Sequence, residues 1–242
     1  MVKQTKLKVR LISYTKRPQA TVTAAIRQCY SSVGADELLK KTSVSTQKRL
    51  IGQIVSSGHT STIEHASFTF AIEGISRACS HQLVRHRIAS YSQQSQRYVD
   101  LSQKPLPYII PSDIKNNPKA KRIFLRGLEK VESIYQQLVD LGIKKEDARF
   151  ILPNATETKI VVTMNARELH NFFRLRCCNR AQWEIRALAW KMLGLVKKVA
   201  PDLFNNAGPS CETEKICWEG EMSCGKWKKI PKAELKKRGG KT

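Results

Sequence analysis

The sequence predicts one mixed α/β domain followed by a basic tail. Three features carry that expectation: short β-branched runs with alternating polarity, longer stretches with apolar residues at helical spacing, and no internal repeat. Lys6 to Ser13 opens as a strand in which Leu7, Val9 and Leu11 alternate. Residues 18–31 and 45–57 are expected to be helices, the second with Leu50, Ile51, Ile54 and Val55 at helical spacing. Phe68 to Ile75 is a further strand candidate, and Ser76 stands where it can cap a helix running to Val84. Beyond Arg87 a strand of period two would put Gln93, Ser95 and Arg97 on one face. An amphipathic helix over residues 119–141 follows from Ile123, Leu128, Val131, Ile134, Tyr135 and Leu138. Thr158 to Met164, rich in β-branched residues, reads as a buried strand. Residues 166–179 and 181–200 read as consecutive helices, and Ile185, Leu188, Ala189, Met192, Leu193, Val196 and Val199 make one apolar stripe. The domain is expected to span residues 1–204. Asn205-Asn206-Ala207-Gly208-Pro209 then leads into a Cys-containing tail over residues 205–242.

Composition narrows the class. With 242 residues, 41% hydrophobic and 26% charged, the chain can bury a substantial core. No run of eighteen apolar residues exists and the N-terminus lacks a signal-like apolar segment, so a cytoplasmic protein with no membrane partner is expected. Seven cysteines, an odd number, argue against a disulfide framework. The net charge of +23 concentrates at Lys3 to Arg17, at Lys115 to Lys130 and in the last seventeen residues. Nucleic acid is one reading of that charge. The basic clusters hold few interleaved aromatics and no nucleic-acid motif of defined spacing, so no specific nucleic-acid partner is expected. Attraction of small polyanionic ligands, or a lysine-rich compositional bias, accounts for the charge equally well.

Residues 85–97 carry the most chemistry. Arg85-His86-Arg87 is followed by ten residues rich in hydrogen-bonding groups, with no acid among the thirteen. Three successive helical residues point about 100° apart, so Arg85, His86 and Arg87 belong at a helix end rather than on one face. A row of amide, hydroxyl and guanidinium groups suits a phosphate and the edge of a base. Gly58-His59-Thr60-Ser61-Thr62-Ile63-Glu64-His65 forms a second block, where Ser61 and Glu64 have the spacing of a capping box. The same helix start could bind an anion. His59 and His65 lack a third ligand at metal spacing, and no metal is expected there.

Arg149 precedes the apolar run Phe150-Ile151-Leu152-Pro153 and could equally be a snorkelling surface residue. In the block from Asn165 to Arg176, Leu169, Phe172 and Phe173 make an apolar helical face that Arg176 and Arg180 are expected to continue. Glu184 could pair with Arg180, leaving Arg176 to an interhelical acid or an anionic ligand. Adjacent Cys177 and Cys178 suit small core positions, and tail residues Cys211, Cys217 and Cys224 lack the short hairpin spacing of tight zinc sites, which leaves a structural metal in the tail as an open alternative. No Gly-x-Gly-x-x-Gly follows a strand and no P-loop is present, which disfavours the familiar nucleotide folds.

Together these blocks resemble the flavin-dependent thymidylate synthases. The matching residues are Gly58-His59, Ser61 and Glu64-His65; Arg85-His86-Arg87 with Ser90, Ser95 and Arg97; Arg149 before Leu152-Pro153; and Asn165-Ala166-Arg167 through Arg176 to Ala181-Gln182-Trp183-Glu184-Ile185. The resemblance covers roughly residues 8–204. It implies a central, mostly antiparallel sheet flanked by helices, in a homotetramer whose active sites draw residues from several subunits. It implies FAD held by His59, Ser61, Arg85, His86, Arg87, Gln93, Asn165, Arg167 and Asn171. It implies dUMP held by Gln82, Arg85, Gln93, Gln94, Ser95, Gln96, Arg97 and Arg149, with Arg97 and Arg149 reaching the phosphate. Arg176 would polarise the uracil ring. The reaction implied is reductive methylation of dUMP to dTMP, with methylenetetrahydrofolate and NADPH as co-substrates and no cysteine nucleophile. The family often has Glu where this chain has Gln93, which puts any role for that charge in question. A relative that keeps the fold without turnover fits the same motifs.

Overall fold

The computed structural model describes residues 3–99, 101 and 105–227. In chain order the elements are β1 (Lys3–Gln4), β2 (Lys8–Tyr14), α1 (Pro18–Gln28), α2 (Ala35–Lys41), α3 (Val44–Ser57), β3 (Ser67–Ser76), α4 (Arg77–Leu83) and β4 (Ala89–Gln93). They continue with β5 (Pro107–Tyr108), α5 (Ser112–Asn116), α6 (Pro118–Asp140), α7 (Lys145–Ala148), β6 (Glu157–Asn165), α8 (Ala166–Arg176), α9 (Trp183–Val199), α10 (Pro201–Phe204) and α11 (Ser210–Thr213). The fold is mixed α/β with an antiparallel sheet, as expected. Four strands run in the order β2-β3-β6-β4, and β1 pairs with β5 in parallel. Among the described residues no helix is long and apolar enough to cross a membrane.

The chain divides into two compact units. The first takes residues up to Val9, Ala71–Arg85 and Tyr91–Val162; the second takes Arg10–Phe70, His86–Ser90 and everything from Thr163 onward. In the first, Leu106, Tyr108 and Leu128 form a buried cluster against Phe124 and Leu152. Glu132 of α6 accepts the Leu106 amide at 2.9 Å, satisfying a buried backbone donor. In the second, α9 buries Ile185, Leu188, Ala189, Met192, Leu193 and Val196, as its stripe predicts, with Val199 only partly covered. Phe68, Phe173 and Phe204 pack edge to face, Phe204 lying 5.3 Å from Phe68 and 6.1 Å from Phe173. Each fully buried aromatic or aliphatic side chain contributes about 1.5–3 kcal/mol.

Helix starts follow side-chain chemistry. Ser43, Ser76, Asn117, Asn165 and Gln182 each accept a first-turn backbone N–H. Several expectations change. The α1 helix stops at Gln28, and α2, about two turns built around buried Leu38, is too short to show a periodic stripe. The segment after Gly58 is a 3-10 helix (Thr60–His65) with no side-chain cap, so the Ser61–Glu64 capping box does not form. Strand β6 is covered on one face only: Thr158, Ile160, Val162 and Met164 are buried while Lys159 and Val161 are exposed. Strand β4 ends at Gln93; the Gln94 amide still bonds Lys159, after which Ser95 Oγ accepts the Arg97 amide and turns the chain.

Gly74 sits inside β3 with φ +72°, a conformation that L side chains rarely adopt, and a Cβ there would meet the Lys6 carbonyl oxygen at 2.1 Å. Backbone cannot yield as a flexible side chain would. Gly74→Ala is expected to cost about 3 kcal/mol in urea unfolding. A change below about 1 kcal/mol would show that the strand absorbs the methyl group.

Candidate active site

In the second unit the site is organised by α8. Asn165 caps it by accepting the Glu168 amide at 2.9 Å, which begins the helix where β6 ends. Glu168, Phe172 and Arg176 then recur every four residues, on one ridge of the helix. His86 lies against that ridge. Its Nδ1 is 3.0 Å from Glu168 Oε1, its ring stands edge-on to Phe172 at 4.9 Å, and its Nε2 is 3.0 Å from Arg176 Nε. Both His86 and Glu168 are about 95% removed from solvent, with 5% and 4% exposure.

The tautomer follows from the partners. Arg176 Nε–H can only donate, so His86 Nε2 must accept; the imidazole proton therefore sits on Nδ1 and is donated to Glu168. Burial holds the His86 pKa below the ordinary imidazole range. The hydrogen bond to Glu168 opposes that effect, and the Arg176 charge reinforces it. A neutral imidazole is what the arginine requires. With Nε engaged by His86, Arg176 keeps its two terminal nitrogens as further donor groups.

A second face of α8 presents Arg167, His170, Asn171 and Arg174, at the helical spacing of neighbours. With Thr60 and residues 206–208 they line a cavity of about 570 Å³. Arg167 donates to Glu64 at 2.5 Å, both side chains being substantially exposed, so the pair is worth about 0.2–1 kcal/mol. His170 Nε2 donates to the Leu203 carbonyl at 2.8 Å, its ring stacks on Phe204, and burial lowers its pKa against that hydrogen bond. Asn171 faces Glu168 Oε1 at 3.4 Å. His59 and Ser61 flank and open the 3-10 helix, and Arg87 is exposed just beyond His86.

Arg180 does not extend the α8 face as expected: the helix ends at Arg176, and Arg180 is exposed in the turn beyond it. The partner of Arg176 is His86, from a distant segment. Cys177 offers no nucleophile, because burial pushes its thiol up to about 12, with Glu212 adding to the effect.

In the first unit, Arg85 follows the end of α4, and Gln82 is half-buried on that helix. Gln93 Nε2 donates to Ser80 Oγ at 2.9 Å and to Thr158 Oγ1 at 3.1 Å. Ser80 gives its own proton to the Arg77 carbonyl, so it can only accept from residue 93. An amide at position 93 donates to both hydroxyl oxygens, which a carboxylate could not do. Arg97 pairs with Glu146 at 2.8 Å, and Arg149 Nε donates to the Glu146 carbonyl at 3.0 Å. Glu146 thus ties the two arginines together, while Gln94, Ser95 and Gln96 form the partly buried start of the neighbouring turn. Arg77, which the motifs did not single out, is drawn below its usual pKa by burial and then by the nearby Arg149 charge. Guanidiniums gathered this way suit an anion.

The residues split cleanly between the units. His59, Ser61, His86, Arg87, Asn165, Arg167, Asn171 and Arg176 lie in the second, and Gln82, Arg85, Gln93, Gln94, Ser95, Gln96, Arg97 and Arg149 in the first. Sequence reasoning missed Glu168, His170, Arg174 and Arg77. The first three carry a readable signal, since they share helical faces with Arg176 or with Arg167 and Asn171.

The pH dependence of stability follows from His86. Folded His86 holds its proton less tightly than the unfolded chain does, so its contribution is intact above about pH 6.5 and is lost as pH falls through and below that value. Urea unfolding of the protein is expected to show a fall in stability from pH 8 to pH 5 that is shallower in His86→Gln; equal slopes would contradict the assignment. Glu168→Ala is expected to cost about 2 kcal/mol at pH 8, because the Nδ1 proton loses its buried acceptor.

Residues 10–202 match the family model of the thymidylate synthase complementing proteins. A flavin-dependent thymidylate synthase of Geobacter sulfurreducens is 57% identical over 220 residues, covering 91% of this chain and 94% of the relative. One from Clostridium tetani is 50% identical and covers 96% of each chain. Among solved structures, a UMP/dUMP methylase from Streptomyces cacaoi bound with 5-Br dUMP matches with a TM-score of 0.74 at 24% identity, over 84% of this chain and 96% of that one, which shows a common fold. With its motifs in order and its match running nearly from end to end, this chain belongs to the thymidylate synthase complementing proteins, the family of the flavin-dependent thymidylate synthases.

Proposed function

We propose that this chain methylates dUMP to dTMP, with methylenetetrahydrofolate as carbon donor and NADPH as reductant, in a homotetramer. The observation that carries the reading is the buried Glu168–His86–Arg176 chain, set within a family match that spans most of the sequence. FAD supplies the hydride when bound. The cavity beside α8 fits such a group: the guanidiniums of Arg167 and Arg174, the amides of Asn171 and Asn206 and the Thr60 hydroxyl line it and outnumber its one acid, Glu214, a set suited to the anionic part of a dinucleotide. Arg167, Asn171 and Arg174 would hold that part, with His59, Ser61, Arg85, Arg87, Gln93 and Asn165 assigned to the rest of the flavin. The exposed Arg167–Glu64 pair is weak enough for a ligand phosphate to compete for the arginine.

Arg97 and Arg149 are assigned to the phosphate of dUMP, and Gln82, Arg85, Gln93, Gln94, Ser95 and Gln96 to its sugar and base. Arg77 adds positive potential to that cluster. Arg176 acts on the pyrimidine. Its permanent charge beside the ring favours ionisation at N3 and stabilises negative charge as it develops on a carbonyl oxygen. Neutral His86 fixes the plane of the guanidinium without repelling it, and Glu168 fixes His86.

Tritium release from 5-tritiated dUMP tests the reading. Release is expected only when methylenetetrahydrofolate and NADPH are both supplied, from a yellow protein whose flavin comes free on denaturation. Arg176→Ala is expected to lower dTMP formation at least about 1,000-fold while flavin stays bound, as for loss of one oriented charge donor. A colourless protein that releases no tritium would contradict the function. Near-normal turnover of Arg176→Ala would contradict that residue's role.

A further inference from the structure

Five of the seven cysteines border one small enclosed cavity of about 60 Å³ in the second unit: Cys177, Cys178, Cys211, Cys217 and Cys224. They come from separate segments. Cys177 and Cys178 lie in the turn after α8, Cys211 in α11, and the other two beyond it. Cys177 differs from the rest, because it closes α8 and at 2% exposure is the most buried of the five. The remaining four, Cys178, Cys211, Cys217 and Cys224, reach the same cavity wall from the turn after α8 and from the segment after α10.

Donors suited to thiolates are already in place. The Arg180 amide donates to Cys178 Sγ at 3.5 Å, and Asn179 Nδ2 donates to Cys224 Sγ at 3.6 Å. Sulfur is a soft ligand, and four thiolates make the tetrahedral set that Zn²⁺ takes in structural sites. Among the described residues no three ligand-type side chains stand ready around one point. An ion would have to draw the four side chains together, exposed Cys224 among them.

We propose that Cys178, Cys211, Cys217 and Cys224 bind one thiophilic divalent cation of the Zn²⁺ class, which pins the segment after α10 to the turn between α8 and α9. The spacing of the last three cysteines hides this arrangement, because the fourth ligand arrives from two residues past Arg176. The ion would act structurally. The segment it pins also supplies Asn206, Ala207, Gly208 and Glu214 to the wall of the larger cavity, so its loss would loosen that wall.

The full chain, produced with added zinc and purified without chelator, tests the proposal by elemental analysis and by Co²⁺ replacement. The expected result is one ion per chain, intense visible ligand-field bands with Co²⁺, and a lowered melting temperature after chelation. Cys178→Ser and Cys224→Ser are each expected to retain the ion at least about tenfold less well, whereas Cys29→Ser, on the exposed end of α1, retains it fully. Cys224 is exposed, so its replacement leaves the core intact, which circular dichroism checks. Wild-type protein that takes up no stoichiometric zinc, pairs these thiols as disulfides, or holds the ion equally well in both variants would overturn the proposal.

Discussion

A buried carboxylate, a neutral imidazole and a guanidinium in series impose the strictest constraint on this molecule. Each member needs the next. Glu168 is tolerable at 4% exposure because His86 gives it a proton to accept, and His86 is tolerable because both ring nitrogens are engaged. Breaking the series anywhere leaves a desolvated polar group, so the helix carrying two of its members cannot rotate or slide without cost. The constraint reaches back to the local sequence. Asn165 starts α8 at a fixed residue by capping the Glu168 amide, and that register sets where Glu168, Phe172 and Arg176 point.

The same helix serves two chemistries because its faces differ. One ridge fixes the arginine assigned to the pyrimidine; the adjacent face offers donors to a cavity large enough for part of a cofactor. The apolar side, with Leu169 and Phe173 fully buried, anchors both. Positive charge on the whole chain is then more than a solubility device. All four ligands of the proposed reaction are anionic, and a net charge of +23 would favour their capture.

Much of the fold was legible in the sequence, because periodicity reports burial. The stripe of α9, the amphipathic pattern of α6 and the cap at Ser76 all appear as expected, with ends shifted by one or two residues. Failures share a cause: local signals lose to partners far away in sequence. The capping-box residue Glu64 binds Arg167 instead of its own helix end. The alternation past Gln93 stops being a strand because Ser95 closes a turn on Arg97. Thr158–Met164 looked buried throughout, yet its β-branched residues divide between two faces. The candidate site was legible as motifs and illegible as a network. Nothing local says that His86 is the partner of Arg176, that Ser80 demands an amide at position 93, or that Cys178 joins the tail cysteines. Those are facts of tertiary proximity.

The charge state of His86 is where the account is most exposed, and nitrogen NMR of protein labelled at histidine reads it directly. Between pH 6.5 and 8 the His86 signals should report a neutral ring with the proton on Nδ1 and a bare, hydrogen-bonded Nε2, a pattern that Glu168→Ala disturbs. A protonated ring across that range, or a proton resident on Nε2, would contradict the account, since Arg176 could then receive no hydrogen-bond acceptor from it.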